Sequence, residues 1–179
     1  MIELVMNKYS FWIIPENDFY TELEEVIAKY SAEYKAPVFT PHITIHNPVA
    51  SDDKAVVRKV QEAAQKLSPF EIQVGPVEFS TTYFQSVFVR MKTSAELLTA
   101  HMTLKESLGV TNDFVFMPHM SLVYGNFSMQ VRAQIAREIK ILIKSFQAKK
   151  ITIARADSSD PKDWGIVAEV KLGAKTATT

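Results

Sequence analysis

The sequence predicts an α+β fold made of two pseudo-symmetric lobes of antiparallel sheet, with helices on the outer faces and a central cleft. Two observations lead to this prediction. Segments of strand composition alternate with amphipathic helical segments along the chain. The order of strand, helix, strand starting with Pro-His-x-Thr/Ser, helix and strand occurs twice, and the two Pro-His motifs are 77 residues apart. Such a duplication favours a single bilobal domain over residues 1–179, with residues 173–179 as a frayed tail.

The first unit contains two helices among three strands. Its strands are runs rich in β-branched and aromatic residues, and its helices have apolar residues at helical spacing behind a capping side chain. The predicted strands cover residues 9–14, 38–45 and 70–79. Asn47-Pro48 is expected to stop the second strand. The helices are predicted to follow the N-cap residues Asp18 and Ser51.

The second unit repeats this pattern and adds one more strand, so that two closing strands end it. The predicted strands cover residues 84–91, 116–124, 151–156 and 166–172. Helices are predicted after the N-cap residues Ser94 and Ser128. The first of them is expected to end at Gly109, and the apolar face of the second continues to Leu142. The polar segment 157–163 is a candidate to cover the cleft, but the role of an ordinary hairpin loop is favoured.

The charge balance limits the kind of partner. The chain carries 20 basic and 20 acidic side chains, so its formal net charge is zero. A long nucleic acid is therefore not expected, because contacts to many phosphates need a basic surface, whereas one small phosphorylated ligand needs only local donors. There is no cysteine, no apolar stretch long enough for a membrane span and no signal-like N-terminus. We expect a cytoplasmic protein that is monomeric and has no membrane partner.

Each Pro-His motif puts one imidazole beside one hydroxyl. Side chains two residues apart on a strand point to the same face, so His42 pairs with Thr44, and His119 pairs with Ser121. Two such pairs suit in-line attack on a phosphodiester. One neutral imidazole takes a proton from water, and the other, protonated, gives a proton to the departing sugar oxygen. The hydroxyls donate hydrogen bonds to phosphate oxygens, where charge grows in the transition state.

No carboxylate lies within three residues of His42 or His119, so we expect neither a metal ion nor another cofactor. The other two histidines are expected to have no catalytic role. His46 follows His42 by four residues, a span of about 13 Å on a strand that is too long for both to bind one metal. We expect His46 at the surface, and His101 partly buried on the apolar side of its helix.

Three aromatic residues, Trp12, Tyr83 and Phe84, are candidates for stacking on a base. Core packing is the favoured role for Phe84.

Five stretches of the chain carry a family resemblance: YSFWIIP, TPHITI, STTYFQSVFV, FMPHMSLVYG and the strand pair around DSSDPKDW. They cover nearly the whole chain and resemble the two-histidine (2H) phosphoesterase superfamily, more closely its plant and fungal cyclic phosphodiesterases. The resemblance implies the bilobal 2H fold and a role in RNA metabolism such as tRNA splicing. It implies hydrolysis of ADP-ribose 1'',2''-cyclic phosphate and of nucleoside 2',3'-cyclic phosphates, the latter to 2'-phosphates.

Carried over position by position, the resemblance implies that His42 and His119 are catalytic and that Thr44, Ser121 and Tyr124 bind the phosphate region. Tyr124 follows His119 by five residues and would face the other side of an unbroken strand, so this role requires a bend near Gly125. The cysteines of the plant members are absent, so redox control through a disulfide is not available.

Two alternatives remain open at the level of sequence. One is an RNA-end-processing enzyme on the same scaffold, either 2',5' RNA ligase-like or a 3' exonuclease, which would need a longer and more basic groove. The other is a non-catalytic nucleotide-binding module, which the two intact histidines argue against. The near equivalence of the two motifs leaves the acid and the base unassigned.

Overall fold

The computed structural model describes residues 7–173. Within this range the chain forms four α-helices, eight β-strands and a single 3-10 turn, Pro161–Asp163. The helices are α1 Asn17–Tyr34, α2 Asp53–Gln65, α3 Ala95–Leu108 and α4 Met129–Glu138. The strands are β1 Asn7–Ile13, β2 Ile43–Ser51, β3 Phe70–Phe79, β4 Val87–Met91, β5 His119–Val123, β6 Ser145–Ala148, β7 Lys150–Arg155 and β8 Gly165–Lys171.

The strands form one sheet in the order β6-β3-β4-β5-β2-β1-β7-β8, and every neighbouring pair is antiparallel. Its two halves meet where β2 pairs with β5 through Ile43 and Met120, the residues that follow the two motif histidines. The predicted α+β fold with two pseudo-symmetric lobes is confirmed. The two motif strands are direct neighbours at the centre of the sheet.

The lobes do not coincide with the two repeated sequence units. The last strand of the first unit, β3, pairs with β4 of the second unit, and β7 of the second unit pairs with β1 of the first. Each lobe is therefore built from both halves of the chain. Helices α2 and α3 pack on the lobe that contains β1 and β2, whereas α1 and α4 contact strands of the other lobe.

One large apolar core runs through both lobes, and Ile27, Phe39 and Tyr124 form a smaller buried cluster apart from it. Isoleucine, valine and leucine side chains on the inner face of the central strands are completely buried, and the apolar faces of the helices cover them. Helix α1 contributes Phe19, Leu23 and Tyr30 to this core, at the spacing expected for one helix face.

The helix boundaries agree with the sequence at two caps and differ at two others. Ser94 and Ser128 cap α3 and α4 through their side chains, and Gly109 ends α3 in the left-handed conformation, as predicted. Ser51 is not a cap, because β2 extends through it and Asp52 accepts the capping hydrogen bond instead. Asp18 is not a cap either, since α1 already begins at Asn17.

Strand β2 continues through Asn47-Pro48 instead of ending before it. Tyr9 pairs with Val49 and Phe11 with His46, so β2 has an additional residue between these pairs. A bulge leaves a residue outside the regular ladder, and the missing N–H of proline is tolerated there.

Several strands begin later in the structure than the sequence predicts, and one strand was not predicted. Residues 38–42, 84–86 and 116–118 are not strands. Strand β6 escapes prediction because its four residues show no clear alternation. Helix α4 ends at Glu138, and Leu142 is 77% exposed, so the prediction of a continued helical face is wrong.

Gly75 lies where β3 bulges against β4, and it generates a stability prediction. A Cβ at Gly75 would come within 2.7 Å of the carbonyl oxygen of Arg90, so Gly75→Ala forces the two backbones apart. We expect the free energy of unfolding to fall by about 1–3 kcal/mol, measured by urea denaturation. Gly165→Ala is the matched control, since, apart from its chain neighbours, no atom of residues 7–173 lies within 4 Å of its Cβ position. Equal stability of both variants would contradict the close approach.

Candidate active site

The two lobes enclose a cleft with a cavity volume of about 550 Å³. All four motif side chains predicted to act together, His42, Thr44, His119 and Ser121, line this cavity. The segment that joins β7 to β8 forms another part of the wall. The fold therefore gathers both motifs into one site, although they are 77 residues apart in the chain.

The backbone holds the two histidines in the same way. Nδ1 of His42 lies 2.6 Å from the carbonyl oxygen of Thr40, and Nδ1 of His119 lies 2.9 Å from that of Met117. Since a carbonyl oxygen can only accept, Nδ1 carries the hydrogen in both rings. Nε2 is then the nitrogen left for proton transfer in each of them.

Burial lowers the pKa of both histidines. Desolvation is the largest influence on His42 and, despite the hydrogen bond to Thr40, lowers its pKa to about 4; the nearby His119 adds to the decrease. Desolvation also lowers the pKa of His119, and the Arg90 guanidinium contributes. In the free protein at neutral pH, both imidazoles are therefore neutral.

Each histidine lies against an aromatic ring of the neighbouring strand. Trp12 stacks on His42 with ring centroids 4.0 Å apart, and Phe88 meets His119 edge-on at 5.2 Å. In the strand ladders each aromatic residue is paired with the hydroxyl residue of the adjacent motif. The two environments are therefore related by the pseudo-symmetry, and in both the ring excludes water from the imidazole.

The three residues proposed for base stacking have different positions. Trp12 lines the cleft but is only 3% exposed, and its contacts with His42 and Ser10 make it a support for the histidine. Tyr83 does not line the cleft and instead lines a neighbouring cavity. Phe84 is 41% exposed and lines the cleft, so the expectation that it packs in the core is wrong.

The two motif hydroxyls have different hydrogen-bonding states. Ser121 Oγ donates to the carbonyl oxygen of Phe84 at 2.6 Å. Within residues 7–173, no protein group forms a hydrogen bond with the Thr44 hydroxyl, which lies half-buried in the wall. The Thr44 hydroxyl can therefore donate to a ligand directly. The Ser121 hydroxyl must first break its hydrogen bond to the carbonyl oxygen of Phe84.

A β-bulge directs Tyr124 into the cleft. Phe88 pairs with Ser121 and Val87 pairs with Val123, which leaves Leu122 as an additional residue in β5. The additional residue reverses the alternation, so Tyr124 lines the same cavity as His119 although it follows by five positions. The bulge, and not the expected bend near Gly125, therefore accounts for the direction of the Tyr124 side chain.

The phenol of Tyr124 remains protonated. Burial raises the pKa of this phenol, and a hydrogen bond with the Ser121 side chain counteracts the increase only partly. Tyr124 is therefore available as a hydrogen-bond donor beside Ser121 over the whole physiological pH range.

His46 faces the core and not the surface. Phe11 pairs with His46 and Trp12 with Thr44, so Ile45 is an additional residue in β2 and reverses the alternation after Thr44. His46 is 3% exposed and stacks on His101 at 5.6 Å. His101 is buried, and its Nδ1 lies 2.6 Å from the carbonyl oxygen of Ile45. The expectation of a surface position for His46 is wrong; His101 is buried on its helix as predicted.

Sequence reasoning missed Trp164, one of several aromatic residues that line the cleft. Trp164 lines the cleft close to the rings of His42, Phe84 and Tyr124, and its Nε1 donates to the carbonyl oxygen of Ser158. A lone tryptophan after a polar loop is a signal that could have identified it. Segment 157–163 is thus more than a hairpin connection, because part of it lines the cleft.

Lys8 and Ser10 also line the cleft and were missed. The two-residue alternation that was applied to the motif strands would have placed both on the face of Trp12. Phe39 stacks on Tyr124 at 3.7 Å. No sequence pattern indicates this contact, because only tertiary packing brings the two rings together.

Arg132 of α4 holds one wall of the cleft from behind. It is 3% exposed, and its guanidinium donates to the carbonyl oxygens of Ser80, Thr82, Gly125 and Phe127. The first two belong to segment 80–86, which carries Phe84 and has no regular secondary structure. The other two flank the turn that follows Tyr124. One buried guanidinium thereby fixes both segments relative to α4.

Neither a cluster of metal-binding side chains nor a membrane-spanning helix occurs in the described part of the chain. No group of three or more His, Asp or Glu side chains within residues 7–173 could hold a metal ion. None of the helices in that range is both long enough and apolar enough to cross a bilayer.

Known proteins resemble the chain over nearly its full length. Residues 15–160 match the family described as the 2'-5' RNA ligase superfamily. A cyclic phosphodiesterase from Arabidopsis thaliana is 22% identical, over 96% of this chain and 99% of that protein. The structure of E. coli LigT complexed with 3'-AMP has a TM-score of 0.62 at 12% identity, covering 93% of this chain and 98% of LigT. TT0787 of Thermus thermophilus has a TM-score of 0.64 at 14% identity, with coverages of 94% and 99%.

Because Arg132 holds the backbone of one wall of the cleft, we expect its replacement to destabilise that wall more than the sheet. Arg132→Lys keeps the charge but cannot reproduce the fork of N–H donors, so several carbonyl oxygens lose their partner. We expect the free energy of unfolding to fall by about 1–3 kcal/mol. In hydrogen exchange, the amides of residues 80–86 should be deprotected more than those of β4.

Arg137→Lys, an exposed arginine of the same helix, is the control and should change neither quantity. Uniform loss of protection throughout the sheet would contradict a local role for Arg132.

Proposed function

Because the chain belongs to the 2'-5' RNA ligase superfamily of two-histidine phosphoesterases, and because both of its Pro-His motifs line one cleft, we propose that it is a metal-independent cyclic phosphodiesterase. Its proposed substrates are ADP-ribose 1'',2''-cyclic phosphate and nucleoside 2',3'-cyclic phosphates, the latter hydrolysed to 2'-phosphates. The likeness to a cyclic phosphodiesterase along 96% of the chain supports this choice within the family.

One observation carries the proposal. Two imidazoles in the same cavity each have Nδ1 occupied by a backbone carbonyl oxygen, which leaves two Nε2 atoms for two proton transfers. Hydrolysis of a cyclic phosphodiester needs one proton removed from water and one delivered to the leaving oxygen. A single histidine, or two in separate sites, would supply only half of this requirement.

The proposed reaction is an in-line displacement at phosphorus. Nε2 of the neutral histidine takes a proton from a water molecule as its oxygen attacks phosphorus. The bond from phosphorus to the 3' oxygen breaks, and that oxygen receives the proton from Nε2 of the other, protonated histidine. The phosphate stays on the 2' oxygen, and proton exchange with solvent then restores the starting state of both imidazoles. Each proton-transfer group supplies a factor of about 10²–10⁴.

The unequal desolvation of the two rings favours one assignment of roles. The pKa of His42 is lowered to about 4, so when the pair holds one proton, the proton belongs mainly on His119. In this proposal His42 is the base and His119 is the acid. A bound phosphate anion near both rings favours protonation of His119 further.

The hydroxyl groups stabilise the phosphate oxygens in this scheme. The Thr44 hydroxyl has no hydrogen-bond partner among residues 7–173, and the Tyr124 phenol is held protonated by burial. Ser121 contributes once its hydroxyl turns from Phe84 to the substrate. Donors fixed in a half-buried wall stabilise developing charge better than water does.

Replacement of the histidines tests the proposal directly. We expect His42→Ala and His119→Ala each to lower kcat/KM on a nucleoside 2',3'-cyclic phosphate by about 10²–10⁴-fold. The double variant should lose less than the product of the two factors, because the pair works as a unit. His101→Gln, which changes a histidine outside the cleft and keeps a donor for Ile45, is the control and should retain activity. Full activity in either alanine variant would contradict the two-histidine mechanism.

The lowered pKa values predict the pH profile. Only the singly protonated pair is active, so kcat/KM rises as the base loses its proton and falls as the acid loses its proton. Because both pKa values lie below the ordinary 6.5, we expect a bell-shaped profile with its maximum on the acidic side of pH 6.5. With His42 as the base, His42→Ala keeps only the limb on which the rate falls as pH rises. The opposite result would exchange the two roles, and a flat wild-type profile would exclude both.

A further inference from the structure

We propose that Lys8 binds a second phosphate group of the substrate, carried on the C5 oxygen of the ribose whose other edge holds the cyclic phosphate. This inference rests on the proposed function and specifies what the substrate carries beyond the reacting group. The site is the end of the cleft away from the histidines, where β1 begins and the chain leaves β7.

The geometry of β1 places Lys8 in line with the reacting centre. Lys8, Ser10 and Trp12 alternate along the strand and all line the cleft, whereas Tyr9 and Phe11 are completely buried on the opposite face. The pairing of this stretch with β7 is regular, so the alternation is not interrupted. Four strand residues span about 13 Å, and the long lysine stem can reach back over part of that distance.

The charges at this end of the cleft point to an anion. Among residues 7–173, Lys8 is the only lysine or arginine that lines the cavity, and none of the ion pairs found in that range involves it. Among the described residues, no side chain that lines the histidine end carries a permanent positive charge, so Lys8 is the group that can attract a highly charged substrate. Asp157 also lines the cavity near the end of β7, and its carboxylate opposes the same anion.

Beside Lys8, Ser10 provides a polar neighbour between the two ends. Its hydroxyl oxygen accepts the Trp12 Nε1 hydrogen at 2.7 Å, which leaves the hydroxyl hydrogen available to an acceptor in the cleft. A ribose that spans from the histidines toward Lys8 would pass this hydroxyl. The chemistry that fits is a sugar with a cyclic phosphodiester on one side and a phosphate ester on C5.

A matched pair of substrates isolates the second phosphate. We suggest measuring kcat/KM for adenosine 2',3'-cyclic phosphate with and without a 5'-phosphate. Binding of adenosine 2'-phosphate and adenosine 2',5'-bisphosphate should be measured by calorimetry in parallel, because it needs no turnover. Wild-type protein should favour the ligand with the 5'-phosphate in both measurements, and the preference should shrink as salt increases.

Lys8→Met keeps an unbranched stem and removes the charge. We expect it to weaken binding and kcat/KM about 10- to 100-fold for the ligands with a 5'-phosphate, the loss of one charge-assisted hydrogen bond. For the ligands without it, both should stay within about threefold. Asp157→Asn should change the same ligands in the opposite direction, and Lys92→Met, an exposed lysine outside the cleft, should change neither set.

The outcomes separate this inference from the proposed function. Equal effects of Lys8→Met on both ligands of a pair, or no effect on either, would overturn the role of Lys8. Failure of the wild type to hydrolyse either substrate, with the binding difference intact, would overturn the proposed function and leave Lys8 as a phosphate-binding residue.

Two larger compounds distinguish the source of the second phosphate. ADP-ribose 1'',2''-cyclic phosphate presents a diphosphate on C5, whereas a dinucleotide ending in a 2',3'-cyclic phosphate presents a diester there. A Lys8→Met effect confined to the first assigns the site to a diphosphate, and an effect confined to the second assigns it to an RNA end. No effect with either would overturn the inference for natural substrates.

Discussion

The pairing of β2 with β5 at Ile43 and Met120 is the constraint on which the site depends. These two residues directly follow His42 and His119, and their own side chains are completely buried. Because neighbours on a strand face opposite sides, burial of Ile43 and Met120 directs the two histidines to the cleft. A shift of one residue in this pairing would send the imidazole rings to the core and the apolar side chains into water.

Two bulges adapt the regular sheet to this centre. Ile45 in β2 and Leu122 in β5 are the additional residues, and each directly follows the hydroxyl residue of its motif. Both bulges are therefore at equivalent places in the repeat. In one lobe the reversal brings Tyr124 to the cleft, and in the other it turns His46 to the core. The same kind of bulge therefore supports the site in one lobe and the packing of the core in the other.

The motif residues could be predicted from sequence because their arrangement is local. His42 with Thr44, and His119 with Ser121, need only the two-residue period of a strand, and the duplication brings the pairs together. The caps at Ser94 and Ser128 are local in the same sense. The catalytic roles of the motif residues stay predictions.

What could not be predicted depends on contacts between distant segments. One additional residue in each strand reverses the sheet face on which Tyr124 and His46 lie. Such a bulge leaves no trace in the composition of the sequence. Trp164 reaches the cleft through tertiary packing, Phe39 packs on Tyr124 without lining the cleft, and Phe84 lies on a segment without regular structure. The repeat in the sequence likewise does not indicate that β3 and β7 each pair with a strand of the other unit. The apolar pattern of either strand would fit either lobe.

Arg132 gives the wall of the cleft an unusual tolerance to sequence change. The four hydrogen bonds that its guanidinium donates all go to main-chain oxygens of segment 80–86 and of the turn around Gly125. Every residue type supplies such an oxygen, so the hold of Arg132 on the loop does not depend on the loop side chains, although the Ser80 hydroxyl adds its own hydrogen bond to the carbonyl oxygen of Gln85. Substitutions at positions such as Phe84 or Gln85 can therefore alter the chemistry of the wall while the backbone stays anchored. Relatives with the same arginine could diverge in ligand preference through this loop alone, and a directed library at these positions would explore new ligands on an unchanged scaffold.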